Sequence, residues 1–257
     1  MAYVPGSHIE KRGAFDKGIK DYFAIPKNRW RPVQLFSGSP RSWARKNPSE
    51  EEISRTHALL SKYSVLAFIH SIYLCNLALP PAKFKLKNLP YLEKELKLGS
   101  SLRFKGVVVH FGKSLNLVPD VAKGYMEMNL RTLLPFIDSS CPLLLETCAG
   151  TGTELCKTYR EVAEFYGRFV GEERKKIKLC LDTCHVFAAG YDPLSYLLAL
   201  DLKFPSSLTL VHFNDSKKKK GSRKDRHARY GTGYIPLKSL EGVCLWCRGS
   251  EIPMVIE

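Results

Sequence analysis

The sequence predicts an α/β fold of the (β/α)8 TIM-barrel type, built as one domain over residues 1–257. Two observations support this prediction. Eight short segments recur along the chain and are too continuously apolar to alternate, which is typical of strands buried on both faces of a parallel sheet. Helix-like stretches separate most of them, and a strand–helix repeat over about 250 residues indicates a barrel. A doubly wound open sheet is the alternative fold.

The eight predicted strands are each four to six residues long. In chain order they are Val4–Ile9, Val33–Phe36, Val65–His70, Val107–Phe111, Leu143–Glu146, Ile177–Asp182, Leu208–Phe213 and Met254–Glu257. A helix is predicted over Glu50–Tyr63, and Val121–Leu134 and Thr153–Val170 show the same helical spacing of apolar residues. Because the chain ends at the eighth strand, we expect the final helix of the barrel to be missing or truncated.

The chain is strongly basic, with 40 Lys and Arg against 25 Asp and Glu and a net charge of +15. This excess indicates a polyanionic partner, nucleic acid before membrane, because no basic amphipathic helix stands out. No apolar run approaches the ~18 residues of a membrane span, and the start of the chain has no apolar signal-peptide region. We therefore expect an intracellular protein, in the cytoplasm or the nucleus.

The eight cysteines are irregularly spaced, and we interpret most of them as reduced, buried thiols of an intracellular protein. Cys244–Cys247 is the one C-x-x-C pair in the chain. A structural zinc on this pair is the alternative interpretation.

Imidazole and carboxylate side chains stand at or just after the ends of the predicted strands. Because the carboxyl ends of parallel strands share one rim of a barrel, we expect these side chains to converge on one mouth. The converging set is His70, His110, Glu146, Asp182, His185, His212, Asp225, His227 and Glu257. Such ligands suit catalytic Zn²⁺ or Mn²⁺, and their number exceeds what one ion needs. Two-metal sites are suited to phosphoryl chemistry.

Each of these residues, taken singly, would be interpreted as a hydrogen-bonded structural histidine, a helix cap or a surface charge. Their joint occurrence at six strand ends favours a metal centre, because buried polar groups are costly unless they are paired or bound to metal. His8 and His57 are left outside this predicted cluster.

Three segments of the chain resemble the endonuclease IV family of metal-dependent apurinic/apyrimidinic (AP) endonucleases. They are Leu143–Gly152 (LLLETCAGTG), Leu179–Asp192 (LCLDTCHVFAAGYD) and His212–Gly233 (HFNDSKKKKGSRKDRHARYGTG). His70–Leu74 (HSIYL) and Phe36–Trp43 (FSGSPRSW) are similar more loosely. Together these segments cover nearly the whole chain.

The resemblance implies three zinc ions, with Mn²⁺ as an alternative at one site. It assigns the first ion to His70, His110 and Glu146, the second to Glu146, Asp182, His212 and Glu257, and the third to His185, Asp225 and His227. It also implies that the catalytic residue Glu146 orients the attacking water. Cys180 and Cys184, beside two of these ligands, are then small packing residues rather than ligands.

The implied activity belongs to base excision repair. The enzyme hydrolyses the phosphodiester 5′ to an abasic site in double-stranded DNA and leaves a 3′-hydroxyl and a 5′-deoxyribose phosphate. A 3′-phosphodiesterase activity is also implied, and we expect a monomer. A sugar isomerase or epimerase on the same barrel, or a non-catalytic zinc-stabilised DNA-binding protein, are the alternative functions.

DNA binding is predicted at two places. The resemblance implies that Arg41 and the Tyr73-Leu74 pair fill the gap left by the missing base, although Tyr73 and Leu74 could instead begin a helix and pack in the core. The basic segment Asp215–Arg229 lies among the ligand candidates, so it is well placed to hold backbone phosphates, although a charged segment is often a solvated loop. Its predicted DNA-binding residues are Lys217, Lys218, Lys219, Lys220, Arg223 and Lys224.

Three positions depart from the family's usual residues. Ser71 replaces an Asp, Thr151 a Gln and Thr232 a Glu. We expect these changes to weaken metal orientation or DNA contacts, because such outer residues orient the ligands.

Overall fold

The structure, a computed structural model that describes residues 4–257, contains a closed barrel of eight parallel strands. The barrel strands are β1 (Gly6–His8), β2 (Val33–Phe36), β3 (Ala67–His70), β4 (Val107–His110), β5 (Leu143–Glu146), β6 (Ile177–Asp182), β7 (Leu208–His212) and β10 (Met254–Ile256). Two further strands, β8 (Asp215–Ser216) and β9 (His227–Ala228), form a small antiparallel sheet beyond β7. The barrel closes where β1 pairs with β10, so the (β/α)8 prediction is confirmed and the open sheet is excluded.

Helices surround the barrel. They are α1 (Phe15–Ala24), α2 (Glu50–Tyr63), α3 (Pro81–Ser101), α4 (Pro119–Leu133), α5 (Tyr159–Tyr166), α6 (Glu172–Lys176), α7 (Thr183–Ala188), α8 (Pro193–Lys203) and α9 (Leu237–Gly249). Ser49 caps α2 by accepting a hydrogen bond from the Glu52 N–H, which explains why this predicted helix has the expected bounds. Within residues 4–257, no helix follows β10.

The helix predicted over Thr153–Val170 is wrong at both ends, because α5 spans only Tyr159–Tyr166. Thr158 and Glu161 form a capping box in which each side chain accepts a hydrogen bond from the other's backbone N–H, so the helix starts directly after Thr158. The preceding residues instead bond to the loop after β4, where Ser114 N–H donates to Thr153 O at 2.9 Å.

Apolar side chains occupy both faces of the strands. The larger cluster lies between the strands and the helices and includes Val107 and Val109 of β4. The smaller cluster fills the barrel interior with Phe68, Val108, Leu144, Cys180, Leu210 and Val255, and we call these six residues the interior layer. This double burial explains the continuously apolar strands that the sequence shows.

Two further expectations concern residues 4–257. No helix in this range is long and apolar enough to cross a membrane. All eight cysteines are free thiols, and no group of metal-ligating side chains found in this range includes Cys244 or Cys247. The structure therefore gives no support to a zinc site on that pair.

Candidate metal centre

Strand alternation places six of the nine ligand candidates at the mouth of the barrel. Side chains two residues apart on a strand point to the same face, so the position two residues beyond each member of the interior layer also faces the barrel axis. Those positions are His70, His110, Glu146, Asp182, His212 and Glu257. A ring of polar side chains therefore lies directly above an apolar layer.

The other three candidates come from segments that follow the strands. β6 runs directly into α7, and Asp182 Oδ1 accepts a hydrogen bond from the His185 N–H at 2.7 Å, which caps this helix. Asp225 and His227 lie where the loop after β8 returns into β9. Backbone hydrogen bonds of 2.9 and 3.0 Å hold this loop against α7. Both segments thus bring their ligand candidates to the mouth.

The nine side chains form three groups, in each of which the ligand atoms lie within 4.8 Å of one another. The groups are His70, His110 and Glu146; Glu146, Asp182, His212 and Glu257; and His185, Asp225 and His227. Glu146 joins two groups, because its Oε2 lies 3.2 Å from the Nε2 atoms of His70 and His110 and its Oε1 lies 2.9 Å from His212 Nδ1. These are the same groups that the resemblance implies.

The donor atoms of these groups fit metal cations. Glu146, Asp182 and His212 are fully buried, and the second group sets three carboxylates against one imidazole. His227 Nε2 lies 3.0 Å from Asp225 Oδ1, in a group that sets two imidazoles beside one carboxylate. Buried carboxylates are costly unless their charge is compensated, and a divalent cation would accept the lone pairs of these ligand atoms.

Neighbouring charges set the protonation of the centre. Burial raises the pKa of Glu146, but the imidazoles of His110 and His212 outweigh burial and hold this pKa well below its usual range. Burial also raises the pKa of Glu257, and His212 and His8 lower it by more. Burial lowers the pKa of His110 to about 4. Burial lowers the pKa of His212, but neighbouring acidic groups outweigh burial and raise this pKa well above its usual value. Metal ligands must be deprotonated, so the two carboxylates and His110 are in a binding state near neutral pH, and His212 would release a proton when it binds metal.

A fourth group sets Cys184 beside Asp182 and His227. Burial raises the pKa of the Cys184 thiol to about 12. Because the thiolate rather than the thiol is the metal ligand, this protonated sulfur is a poor ligand at neutral pH. Its position is thus close to two ligand candidates, and its burial and raised pKa favour its interpretation as a packing residue.

Two histidines are oriented by backbone carbonyls. His70 Nδ1 lies 2.7 Å from Ser71 O, and His185 Nδ1 lies 2.9 Å from Thr147 O. A ring nitrogen that donates to a carbonyl leaves the other nitrogen free to bind metal. The Ser71 hydroxyl, at a position where the family usually has Asp, donates a hydrogen bond to Cys75 Sγ at 3.6 Å.

Sequence reasoning missed two residues of the centre and left one of them, His8, outside the cluster. His8 Nδ1 lies 3.2 Å from Glu257 Oε1, and Gln34 Nε2 donates to the same oxygen at 2.6 Å. His8 ends β1 just as the ligand candidates end other strands, so its position was a usable signal. Gln34 lies in the middle of the apolar strand β2, and its polarity there was the signal.

The predicted DNA-gap residues lie at the mouth and not in the core. Tyr73 and Leu74 follow β3 and are 54% and 40% exposed, so they do not begin a buried helix. The Tyr73 ring lies 5.7 Å from the His70 ring and 5.9 Å from the His110 ring, measured between centroids. Arg41 is exposed on the loop after β2.

A cavity of about 630 Å³ opens beside the metal centre between Tyr73, His110 and Asp225. Its basic side chains are Lys113, Lys218, Arg223, Lys224 and Arg226. Lys217, Lys219 and Lys220 are exposed but do not line it. Lys113, three residues beyond a strand-end histidine, is a basic residue that the sequence prediction missed.

Thr151 and Thr232, the other two residues that differ from the family's usual ones, make local contacts. Thr151 Oγ1 donates to the backbone oxygen of Arg223 at 3.1 Å, so it ties the loop after β5 to the basic loop. Thr232 Oγ1 donates to Arg229 O at 2.8 Å.

Comparison with known proteins identifies the family. Residues 30–243 match the family model described as a xylose isomerase-like TIM barrel. A protein of Symbiobacterium thermophilum named probable endonuclease 4 is 33% identical, over 98% of this chain and 91% of its own. The crystal structure of endonuclease IV from Thermus thermophilus superposes with a TM-score of 0.80 at 31% identity, covering 98% of this chain and 91% of the other. The chain belongs to the endonuclease IV family.

Membership in the endonuclease IV family makes this chain a hydrolase of the metal-dependent AP endonuclease type. The barrel itself is shared more widely. A D-tagatose 3-epimerase-like protein superposes with a TM-score of 0.70 at 14% identity, over 98% of this chain and 89% of the other. At that identity the likeness concerns the fold alone.

Proposed function

We propose that this chain is a zinc-dependent AP endonuclease that hydrolyses the phosphodiester 5′ to an abasic site in double-stranded DNA. The products are a 3′-hydroxyl and a 5′-deoxyribose phosphate, and the same site removes blocked 3′ ends as a 3′-phosphodiesterase. The observation that carries the proposal is the convergence of three ligand groups around Glu146, beside a basic cavity. Residues 1–257 form one domain and act as a monomer, inside the cell where the DNA substrate lies.

The three groups would hold three ions, with Glu146 shared by two of them. Imidazole and carboxylate ligands favour zinc, and Mn²⁺ is an alternative at one site. When bound, the ions lower the pKa of water and neutralise the charge that develops on the phosphate.

Glu146 acts at the centre of this arrangement. Its two carboxylate oxygens face different groups, and its lowered pKa keeps both as acceptors near neutral pH. A water between the two groups would donate a hydrogen bond to this carboxylate, which orients it toward the phosphorus. Glu146 therefore has a ligand role and a positioning role.

The chain's remaining residues hold the DNA. Lys218, Arg223 and Lys224 line the cavity and would contact phosphates without reading sequence. Tyr73 and Leu74, exposed at the mouth, are placed to fill the space left by a missing base, and an abasic sugar is easier to turn out of the duplex than a paired nucleotide. Arg41 is exposed on the loop after β2 and would help to fill the same space. Lys217, Lys219 and Lys220 extend the positive field outside the cavity.

A labelled duplex with one abasic-site analogue tests the proposal. The zinc-loaded protein is expected to cut once, on the 5′ side of the analogue, and to leave an otherwise identical undamaged duplex intact. Elemental analysis should find three metal ions per chain. Binding without incision would support the non-catalytic alternative, and neither binding nor incision would support a sugar isomerase or epimerase.

A further inference from the structure

Gln34 is a buried amide on an otherwise apolar strand. It stands between Val33 and Leu35 of β2 and is 0% exposed. Its register partner on β3 is Phe68, a member of the interior layer, so Gln34 also faces the barrel axis. A fully buried amide is costly unless its donors and acceptor are satisfied.

Two ligand candidates of the second group satisfy this amide. Gln34 Nε2 donates to Glu257 Oε1 at 2.6 Å, and Gln34 Oε1 lies 2.9 Å from His212 Nε2. The same amide nitrogen lies 3.0 Å from His8 Nδ1. The amide cannot be reversed, because reversal would set its oxygen 2.6 Å from a carboxylate oxygen.

This orientation decides which nitrogen of His212 carries the proton. Since the amide oxygen faces Nε2, that nitrogen must be the donor. In the neutral ring Nδ1 then keeps its lone pair, and Nδ1 is the atom that lies 2.9 Å from Glu146 Oε1 and 3.3 Å from Glu257 Oε2. The ligand nitrogen of His212 therefore faces its group only in the tautomer that Gln34 selects.

We propose that Gln34 is a positioning residue of the metal centre, which fixes the tautomer of His212 and the direction of the Glu257 carboxylate so that both face the same ion. The inference rests on the metal centre of the proposed function. Outer partners of this kind contribute about 10–100-fold to metal affinity. His8 Nδ1 lies within 3.2 Å of both the Gln34 amide nitrogen and Glu257 Oε1 and completes the arrangement.

Gln34→Met tests the proposal, because methionine has a similar length but cannot make these hydrogen bonds. Metal-free wild type and variant are titrated with Co²⁺, whose absorption spectrum reports the ligand geometry of each site. We expect one of three sites in the variant to bind about 10–100-fold more weakly, with an altered spectrum, and the other two to stay as in wild type.

Asn129→Leu is the matched control. Asn129 is also a buried amide, and it donates to Leu77 O and Leu79 O at 2.8 and 2.7 Å, away from the ligand groups. We expect it to lower the melting temperature without changing metal affinity. If Gln34 had only a structural role, Gln34→Met would behave in the same way, with an equal loss in the metal-free and loaded proteins.

The tautomer of His212 can also be measured in the wild-type protein, so this test does not depend on whether a variant folds. Nitrogen-15 shifts of the zinc-loaded protein are expected to show His212 protonated at Nε2 and bound to metal through Nδ1. The opposite tautomer would overturn the inference, and so would three unchanged sites in Gln34→Met. A wild type that binds no metal would instead overturn the proposed function from which the inference starts.

Discussion

The cavity-lining cations Lys218, Arg223 and Lys224 should set the salt dependence of DNA binding. Each cation that neutralises a phosphate releases a counterion, and the logarithm of affinity falls with the logarithm of salt by about 0.9 per contact. Replacing all three by alanine removes three contacts, so the slope should become shallower by about 2.7. Between about 50 and 200 mM salt, the wild type should therefore lose about 40-fold more affinity than the triple variant.

Fluorescence anisotropy of a labelled abasic duplex measures this slope. The Glu146→Gln background prevents incision during the titration. The matched control replaces Lys62, Lys175 and Lys203, which are exposed in the last turns of α2, α6 and α8, on the face of the barrel opposite the mouth. It removes the same charge but should leave the slope almost unchanged. Equal slopes for the wild type and the cavity variant would refute the phosphate contacts.

Three further predictions concern single residues. Glu146→Gln should retain DNA binding but lose incision in a gel assay, because an amide cannot join two ions; activity near wild type would exclude its role. Thr158→Ala should lower the free energy of unfolding by about 1 kcal/mol in urea, since it removes the capping box with Glu161. Burial raises the pKa of Glu95 above 4.5 in the folded protein. The protein is therefore most stable with respect to this group below pH 4.5, where Glu95 is protonated, and it loses stability as the pH rises and the buried carboxyl ionises. Glu95→Gln, which retains an acceptor for the Ser37 hydroxyl, should therefore unfold at higher urea than wild type at pH 7 but not below pH 4.5; equal curves at pH 7 would contradict this.

The mouth of this barrel combines two electrostatic environments. The ligand groups contain four carboxylates, and the cavity beside them is lined by five lysine and arginine side chains among its thirteen residues. The first suits cations and the second suits phosphates, so the metal ions and the DNA backbone would be held side by side. Thr151 and the basic loop connect the two environments through one hydrogen bond.

Much of the fold and most of the ligand candidates could be predicted from the sequence because the deciding patterns are local. A strand such as Leu143–Glu146 shows its double burial in four consecutive residues, and its last residue marks the carboxyl end. In parallel strands all such ends share one rim, so strand-end polarity predicts convergence without any knowledge of contacts. The local pattern was misjudged at Thr153–Val170, where the Thr158–Glu161 capping box, itself readable in the sequence, starts the helix later.

Gln34 and His8 belong to the centre for reasons that no local pattern contains. Gln34 meets His212 across 178 residues of chain, and His8 meets Glu257 across 249. Both contacts exist because β1 pairs with β10 and thereby closes the barrel. Residue type and period indicate which side chains reach the mouth, but the closure of the sheet sets which of them touch, and with it the proton position on His212.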